Sequence, residues 1–195
     1  LYLGGNNLTS LPSWLGELSK LQVLHLSENQ LTKLPESLSA CPLECLSVMD
    51  NPLSAVPQRI RALQIGIGQE HLLHPSLIEL RYLYACACNW TVIPDVVMTY
   101  STLELLDLSD NPIAEYPDDL GRLVSLTVLD LSGTTLTAVP EFVGNLLALE
   151  DLNLAENDLT ELKGLENQRT LFCDIRGNPI EHLPTHLNRL ALDES

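Results

Sequence analysis

Basic residues are scarce in this chain of 195 residues. Ten lysines and arginines stand against 26 aspartates and glutamates, which leaves a formal net charge of −16 at neutral pH. Such a charge repels the phosphates of nucleic acids and the surfaces of anionic membranes. We therefore expect no nucleic-acid binding, and we expect a protein partner to present a basic surface.

Long apolar runs are absent as well. No stretch reaches the roughly 18 consecutive apolar residues that a membrane span needs, so the sequence predicts no membrane insertion. The first residues also lack the charged and apolar regions of a secretion signal. However, the chain starts at Leu1, inside a repeat and not at a methionine, so we interpret it as a fragment of a longer chain.

Aromatic residues make up only 5% of the chain, although hydrophobic residues as a whole reach 45%. Leucine dominates the apolar content, which favours one small packing unit used repeatedly. That unit can be written L-x-x-L-x-L-x-x-N-x-L-x-x-L-P, and successive asparagine positions lie mostly 22 or 23 residues apart. Its clearest copy consists of Leu21, Leu24, Leu26, Asn29, Leu31, Leu34 and Pro35. The last copy is recognised in Ile175, Asn178, Ile180, Leu183 and Pro184.

The L-x-L segment predicts a short β-strand whose two leucines point to one side while the residue between them faces outward. One repeat cannot bury its leucine face alone, so stacked repeats must share a core. Parallel strands lie about 4.8 Å apart, whereas return segments with helical spacing need about 10 Å. The sheet is therefore expected on the concave side of a curved solenoid.

The asparagine position is expected to turn inward and to satisfy backbone groups that would otherwise be buried without a partner. We assign a structural role to this ladder, which consists of Asn6, Asn29, Asn51, Cys88, Asn111, Thr134, Asn157 and Asn178. A thiol is a weak hydrogen-bonding group, so the ladder should be weaker at Cys88.

These copies resemble the leucine-rich-repeat family. The L-P-x-x-L-x-x-L return segments resemble the subclass that includes Scribble, Erbin and the plant intracellular Ras-group proteins. The resemblance covers nearly the whole chain and implies one α/β domain over residues 1–195, a right-handed solenoid of about eight or nine repeats. It further implies a parallel β-sheet on the concave face, short helical or irregular turns on the convex face, and a function in protein recognition.

The repeat is irregular near residues 58–79. The 37 positions from Asn51 to Cys88 are too many for one unit and too few for two. We interpret Leu63 and Ile65, extended to Ile67, as an irregular strand, whose return is packed by Leu72, Leu73, Leu77 and Leu80. The segment is either a short degenerate repeat or a local bulge, and either changes the curvature of the solenoid.

The cysteines bear on the compartment. Disulfide caps are typical of secreted leucine-rich-repeat proteins, but the cysteines here are odd in number and internal, namely Cys41, Cys45, Cys86, Cys88 and Cys173. This favours a reducing compartment, and we expect a cytoplasmic location. Two N-x-T sequons, at Asn7 and Asn89, favour an extracellular location, so that alternative stays open.

Chemistry-bearing motifs are few. His71 and His74 precede Cys86 and Cys88, a set that could supply four zinc ligands. Cys88 takes a buried ladder position and Cys86 an exposed strand position, so the two sulfurs should diverge. A nucleophile elbow, a glycine-rich phosphate loop and an H-E-x-x-H motif are all lacking. We therefore expect no catalysis, no cofactor and no metal site.

The outward-facing column between the two strand leucines is the candidate binding surface. It reads Tyr2, His25, Ser47, Tyr84, Asp107, Asp130, Asn153 and Asp174. Its first half offers aromatic anchors, and its second half is acidic, with carboxylates about 5 Å apart and no counter-charge in register. Either this is a recognition stripe, or an acidic solenoid simply carries acids on every face. We predict that a partner contacts Tyr2, His25, Tyr82, Tyr84, Asp107, Asp130, Asp151, Asn153 and Asp174.

These observations predict a scaffold for protein–protein interaction, of the kind used in signalling, that binds a basic partner on its concave face. Two alternatives stay open. One is the substrate-recognition module of a larger enzyme, such as a ubiquitin ligase, kinase, phosphatase or bacterial effector, which flanking sequence would reveal. The other is a receptor ectodomain, which an upstream signal peptide and cysteine caps would support.

Overall fold

The computed structural model describes residues 1–166, 171–183, 185, 187 and 189–192. Nine short parallel strands of this part of the chain form one open sheet in sequence order. They are β1 (Val23–His25), β2 (Cys45–Ser47), β3 (Ala62–Gln64), β4 (Tyr82–Tyr84), β5 (Leu105–Asp107), β6 (Val128–Asp130), β7 (Asp151–Asn153), β8 (Phe172–Asp174) and β9 (Leu190–Ala191). A single bridge between Tyr2 and His25 extends the sheet to the first repeat. The predicted leucine-rich-repeat solenoid is confirmed.

The return segments contain short 3₁₀ helices. Within the described residues these are Ser13–Glu17, Glu36–Ala40, Glu70–Leu72, Asp95–Thr99, Asp118–Arg122 and Glu141–Asn145. Five of the six follow a proline at the N-cap, whose fixed φ holds the chain extended until the helix begins. Since each helix has at most five residues, it completes little more than one turn, and the chain returns directly to the next strand.

The strand leucines form the core. Leu24, Leu46, Leu83, Leu129 and Leu152 are each completely buried and stack from repeat to repeat. Their outward neighbours stay in register across the sheet, because consecutive strands pair with each leucine opposite the next. The period therefore fixes which side chains are core and which are surface.

Asn111 shows how the ladder joins the repeats. Its Nδ2 donates to the carbonyls of Ala85 at 2.7 Å, Leu108 at 2.9 Å and Ser109 at 3.0 Å, while its Oδ1 accepts from the Trp90 amide at 2.9 Å. Two of these bonds lie within its own repeat and two reach the preceding one. Asn29, Asn51, Asn157 and Asn178 form equivalent sets, whereas exposed Asn6 bonds only to carbonyls of its own repeat.

Two ladder positions depart from asparagine. The Cys88 thiol donates to the Ile65 carbonyl at 3.4 Å. The Thr134 hydroxyl donates to Leu131 at 2.7 Å, within its own repeat, and the Thr134 amide donates to Asn157 Oδ1 at 3.1 Å. Neither side chain makes the full set of an asparagine, so these two steps carry fewer side-chain bonds between repeats.

The irregular segment is a degenerate repeat and not a bulge. It contains a complete strand, β3, which lies between β2 and β4. The 37 positions from Asn51 to Cys88 therefore hold two repeats, each shorter than the usual unit. Leu63 and Ile65 are fully buried as predicted, but Ile67 is 72% exposed, so its inclusion in the strand was wrong. The chain has already left the sheet at Gly66.

Gln69 takes over the ladder function in this degenerate repeat. Its Nε2 donates to the carbonyls of Val48 and Asn51, both at 3.2 Å, and its Oε1 accepts from the Gly66 amide at 2.9 Å. Glutamine has one methylene more than asparagine, so it reaches the preceding repeat from one position later in the unit. The sequence pattern does not reveal it, since the asparagine position itself holds Gly68.

At the other end, β9 follows β8 after a short unit and pairs through Cys173 with Leu190 and Asp174 with Ala191. The sequence analysis did not predict this strand. Pro184 of the last predicted copy and residues 193–195 of the predicted domain lie outside the described residues.

We predict that Asn111→Ala lowers the free energy of unfolding by roughly 3 kcal/mol, because it strips several buried backbone groups of their partners at once. Urea denaturation followed by circular dichroism measures the change. The control is Asn6→Ala, which removes bonds from an exposed site and should cost less than about 1 kcal/mol. Equal losses in the two variants would contradict the ladder's role in joining repeats.

For the degenerate repeat, we predict that Gln69→Ala speeds amide hydrogen exchange at Gly66 and in β3 by about tenfold or more, because the Gln69 side chain holds this repeat against Val48 and Asn51. Exchange in β6 and β7 should change much less. Gln58→Ala, at an exposed position in the return segment just before this repeat, serves as the matched control. Identical exchange in both variants would show that Gln69 does not hold the repeat.

Candidate functional site

The outward column runs unbroken across the sheet. Consecutive strands place His25, Ser47, Gln64, Tyr84, Asp107, Asp130, Asn153, Asp174 and Ala191 side by side. Gln64 and Ala191 are additions to the predicted column, and both come from repeats whose strands the sequence pattern did not resolve. We call this side of the sheet, opposite the core, the concave face.

The first aromatic pair lies at the start of the concave face. The rings of Tyr2 and His25 stack with centroids 4.6 Å apart and an angle of 13° between their planes. Tyr2 is 77% exposed, so most of its ring is open to contact. Stacking orients this ring before any partner binds, which lowers the entropy lost in an interface.

The second aromatic pair, Tyr82 and Tyr84, lies on β4 and is half-buried. The Tyr82 hydroxyl donates to Glu104 Oε2 at 3.2 Å, and burial is the main cause that raises the pKa of both phenols. Strands β2 and β3 separate this pair from His25 on β1, a distance of about 14 Å at the usual strand spacing, and Tyr2 lies one strand position further away. The predicted aromatic half is therefore two separate anchors.

Asp107 and Asp130 lie side by side on β5 and β6. In each, Oδ1 accepts the backbone amide and the hydroxyl of the serine two residues later: Ser109 at 3.0 and 2.6 Å, and Ser132 at 2.9 and 2.6 Å. These bonds fix the direction of both carboxylates. Asp130 Oδ2 also accepts from Asn153 Nδ2 at 2.9 Å, which ties β6 to β7 on this face.

Asp151, beside Asn153 on β7, is exposed. Among the described residues, no lysine, arginine or histidine forms an ion pair with Asp107, Asp130 or Asp151. Burial raises the pKa of Asp107 above its ordinary value, and the charge of Asp130 adds to the rise, although hydrogen bonds from Ser109 oppose it. The middle of the acidic half thus holds negative charge that hydrogen bonds orient but that no ion pair of the described residues balances.

Asp174 differs from these three. It is 8% exposed, and its carboxylate accepts from Arg176 Nε at 3.0 Å. This hydrogen bond is the main cause that lowers the Asp174 pKa. The expectation of no counter-charge in register was wrong here, and also at Glu104, which pairs with Arg81. Arg176 lies two residues after the column residue Asp174, and Arg81 lies three residues before the column residue Tyr84, so extending the repeat alignment by three residues would have found both.

The residues considered as zinc ligands do not converge. His71 Nε2 contacts the Leu53 carbonyl at 2.8 Å, His74 Nδ1 contacts Ser76, and the Cys88 thiol is buried against Ile65. The described part of the chain contains no group of three or more His, Cys, Asp or Glu side chains placed to hold a metal ion. Nor does that part contain a helix long and apolar enough to cross a bilayer.

Family models for leucine-rich repeats match residues 1–58 and, as single repeats, residues 102–123 and 125–146, which together make up more than half of the chain. Podocan-like protein 1 of the mouse, Mus musculus, is 35% identical over 123 residues, which is 62% of this chain and 20% of that protein. The chain thus spans about a fifth of the length of this relative.

Two solved structures share the architecture. A leucine-rich-repeat protein of Leptospira interrogans is 28% identical with a TM-score of 0.64, covering 97% of this chain and 53% of that one. An internalin of Listeria monocytogenes is 23% identical with a TM-score of 0.67, covering 98% of this chain and 58% of that one, and this likeness concerns the fold alone. With its continuous parallel sheet, its repeated ladder and these matches, the chain belongs to the leucine-rich-repeat family.

Proposed function

We propose that this chain is a protein-recognition module that binds a basic segment of a partner protein on its concave face. The observation that carries the proposal is the uncompensated charge of Asp107, Asp130 and Asp151 on three neighbouring strands. Asp107 and Asp130 are direct partners in the sheet, and two unit charges about 5 Å apart repel by roughly 0.8 kcal/mol even in bulk water, and by more near a protein surface. A cationic partner converts this repulsion into attraction.

The fixed directions of Asp107 and Asp130 support the same proposal. Their serine contacts use one carboxylate oxygen of each. The serine bonds occupy Oδ1 of each carboxylate, so Oδ2 is the atom that accepts a charge-assisted hydrogen bond from a basic side chain of the partner, beside the Asn153 contact in Asp130. Asp174 is better placed to shape this end of the face than to bind, because Arg176 already neutralises it.

The two aromatic anchors complete the surface. Tyrosine and histidine rings contribute large contact areas with few rotatable bonds. A partner that spans the face would place an apolar or aromatic side chain near Tyr2 and His25, or near Tyr82 and Tyr84, and its basic residues over β5 to β7.

Further assignments belong to the same proposal. The subclass with L-P-x-x-L-x-x-L return segments is supported by the prolines that precede five of the 3₁₀ helices. A scaffold role in cytoplasmic signalling is supported by the cysteines, since all five are free thiols and Cys41, Cys88 and Cys173 are buried. Binding requires no catalytic group, and we propose none.

We predict that neutralising Asp107, Asp130 and Asp151 together, each to asparagine, weakens capture of basic proteins from cell extract by tenfold or more, with the largest difference at low salt. Quantitative mass spectrometry of proteins retained on the immobilised chain measures this. The control is Glu17→Gln, Glu36→Gln and Asp95→Asn, which removes the same charge from exposed positions in the return segments. Equal loss in the two triple variants would mean that net charge, and not the concave face, governs binding.

The opposite pKa directions of Asp107 and Asp174 give a second prediction. A raised pKa means that folding favours the proton, so the ionised Asp107 destabilises the fold as pH rises from the ordinary value of 3.8 through the folded pKa. At neutral pH we therefore expect Asp107→Asn to raise the Tm. Asp174, whose pKa is lowered, stabilises the fold above its ordinary value, so Asp174→Asn should lower the Tm.

Asp107 is only partly buried, and Arg176, the partner of Asp174, is largely exposed, so we expect changes below about 1 kcal/mol, and the sign is the informative result. Thermal unfolding at pH 7 and at pH 3 measures it, because both differences should shrink at the lower pH. A lower Tm for Asp107→Asn at pH 7 would show that this carboxylate stabilises the fold, and would remove one reason for assigning it to a partner.

A further inference from the structure

A row of apolar side chains runs across the concave face beside the outward column. It consists of Tyr82, Leu105 and Val128, which are direct partners on β4, β5 and β6. Each of them lies two positions before a residue of the column, and side chains two apart on a strand point to the same side of the sheet. We call these three residues the apolar row.

The apolar row makes this part of the concave face amphipathic. Its three members are half-buried, so part of each side chain faces solvent, while Leu106 and Leu129 on the same strands fill the core. Strands β5 and β6 thus each present one aliphatic side chain and one carboxylate, at the same spacing and in register. A ligand that fits both strands needs an apolar half as well as a basic half.

Strand β8 shows the contacts that such a pair of positions makes. Its apolar position holds Phe172, whose ring lies under the guanidinium of Arg189 at 5.9 Å from the centroid. Its acidic position holds Asp174, which accepts from Arg176 Nε at 3.0 Å. Both positions of β8 are therefore covered by arginines of the chain itself, one through a cation–π contact and one through an ion pair.

On β5 and β6 the described part of the chain supplies no ion pair to Asp107 or Asp130. The basic half of the contact seen at β8 has to come from a partner there. Leu105 and Val128 have no aromatic ring to attract a cation, so an apolar side chain is the group that packs on them.

The spacing of the strands selects the shape of the ligand. Neighbouring strands lie about 4.8 Å apart. An α-helix that lies across them presents side chains at i and i+4 about 5 to 6 Å apart, whereas an extended segment presents those of one side about 6.6 Å apart. A helix therefore keeps one side chain over each strand, and an extended segment falls out of step with the strands.

We infer that the basic segment of the partner is an amphipathic α-helix that lies across β5 and β6. Arginines or lysines at i and i+4 donate to Oδ2 of Asp107 and Asp130. Apolar side chains at i+1 and i+5, about 100° further round the helix, pack on Leu105 and Val128. The inference rests on the proposed function and adds to it the shape of the ligand and its apolar half.

The probe is a lactam-bridged helical peptide of about 15 residues, with arginines at i and i+4 and leucines at i+1 and i+5, titrated into the ¹⁵N-labelled chain. A second peptide has the same composition and the same bridge, but its leucines lie on the opposite face of the helix. We expect amide shifts at residues 105–108 and 128–131. The first peptide should bind at least tenfold more tightly than the second, because only its leucines reach the apolar row.

The double variant Leu105→Thr and Val128→Thr removes apolar surface and changes no charge, so it should bind the first peptide about tenfold more weakly. The matched control is Val124→Thr with Leu147→Thr, at positions of the return segments that are 62% and 74% exposed, and it should bind normally. Circular dichroism checks that both double variants keep the fold.

Equal affinity of the two peptides, or unchanged binding by the Leu105→Thr and Val128→Thr variant, would overturn the inference. The triple variant of Asp107, Asp130 and Asp151 to asparagine separates that failure from a failure of the proposed function. If the inference fails but the triple variant loses both peptides, charge governs binding at this face and the proposed function stands. If the triple variant binds both peptides as the native chain does, the proposed function fails as well.

Discussion

The bond between a ladder side chain and the carbonyls of the preceding repeat is the interaction on which the rest of this structure depends. A strand of three residues cannot bury its own leucines, and a 3₁₀ turn of five residues has no stability in isolation. Each repeat becomes stable only when its neighbour is in place. Asn111 shows the mechanism, since it closes its own turn at Leu108 and Ser109 and joins it to Ala85.

A ladder that fixes the strands also fixes the surface. Because every strand pairs in register with the next, a substitution at an outward position leaves the register of the column unchanged. The acidic residues on β5, β6 and β7 can therefore approach one another without a counter-charge, and the core supplies the stability that their repulsion removes. In a protein whose core did not supply this stability separately from its surface, the repulsion between the same charges would destabilise the fold.

The sequence predicts the parts of this fold that follow the period, and it misses the parts that do not. The leucine and asparagine spacing was enough to place seven of the nine strands, because periodicity reports directly on which face is buried. It missed β3 as a regular strand because Gln69 performs the ladder function one position late, and it missed β9 because that unit is short. The ion pairs of Arg81 and Arg176 join neighbouring outward positions, and a pattern built on buried residues does not report on those.

The same logic explains how the scaffold tolerates departures from its repeat pattern. Thr134 does not make the full set of hydrogen bonds that an asparagine makes at the ladder position. The loss is partly offset because Asn157 Oδ1 accepts from both the Thr134 and the Leu136 amides. Next to it, Tyr116 replaces the aliphatic side chain of the other regular repeats with a ring that stacks on Phe142, with the ring centroids 6.1 Å apart. Either change alone weakens the solenoid slightly. The neighbouring repeats, each held by a complete ladder residue, Asn111 on one side and Asn157 on the other, keep the fold intact around both departures.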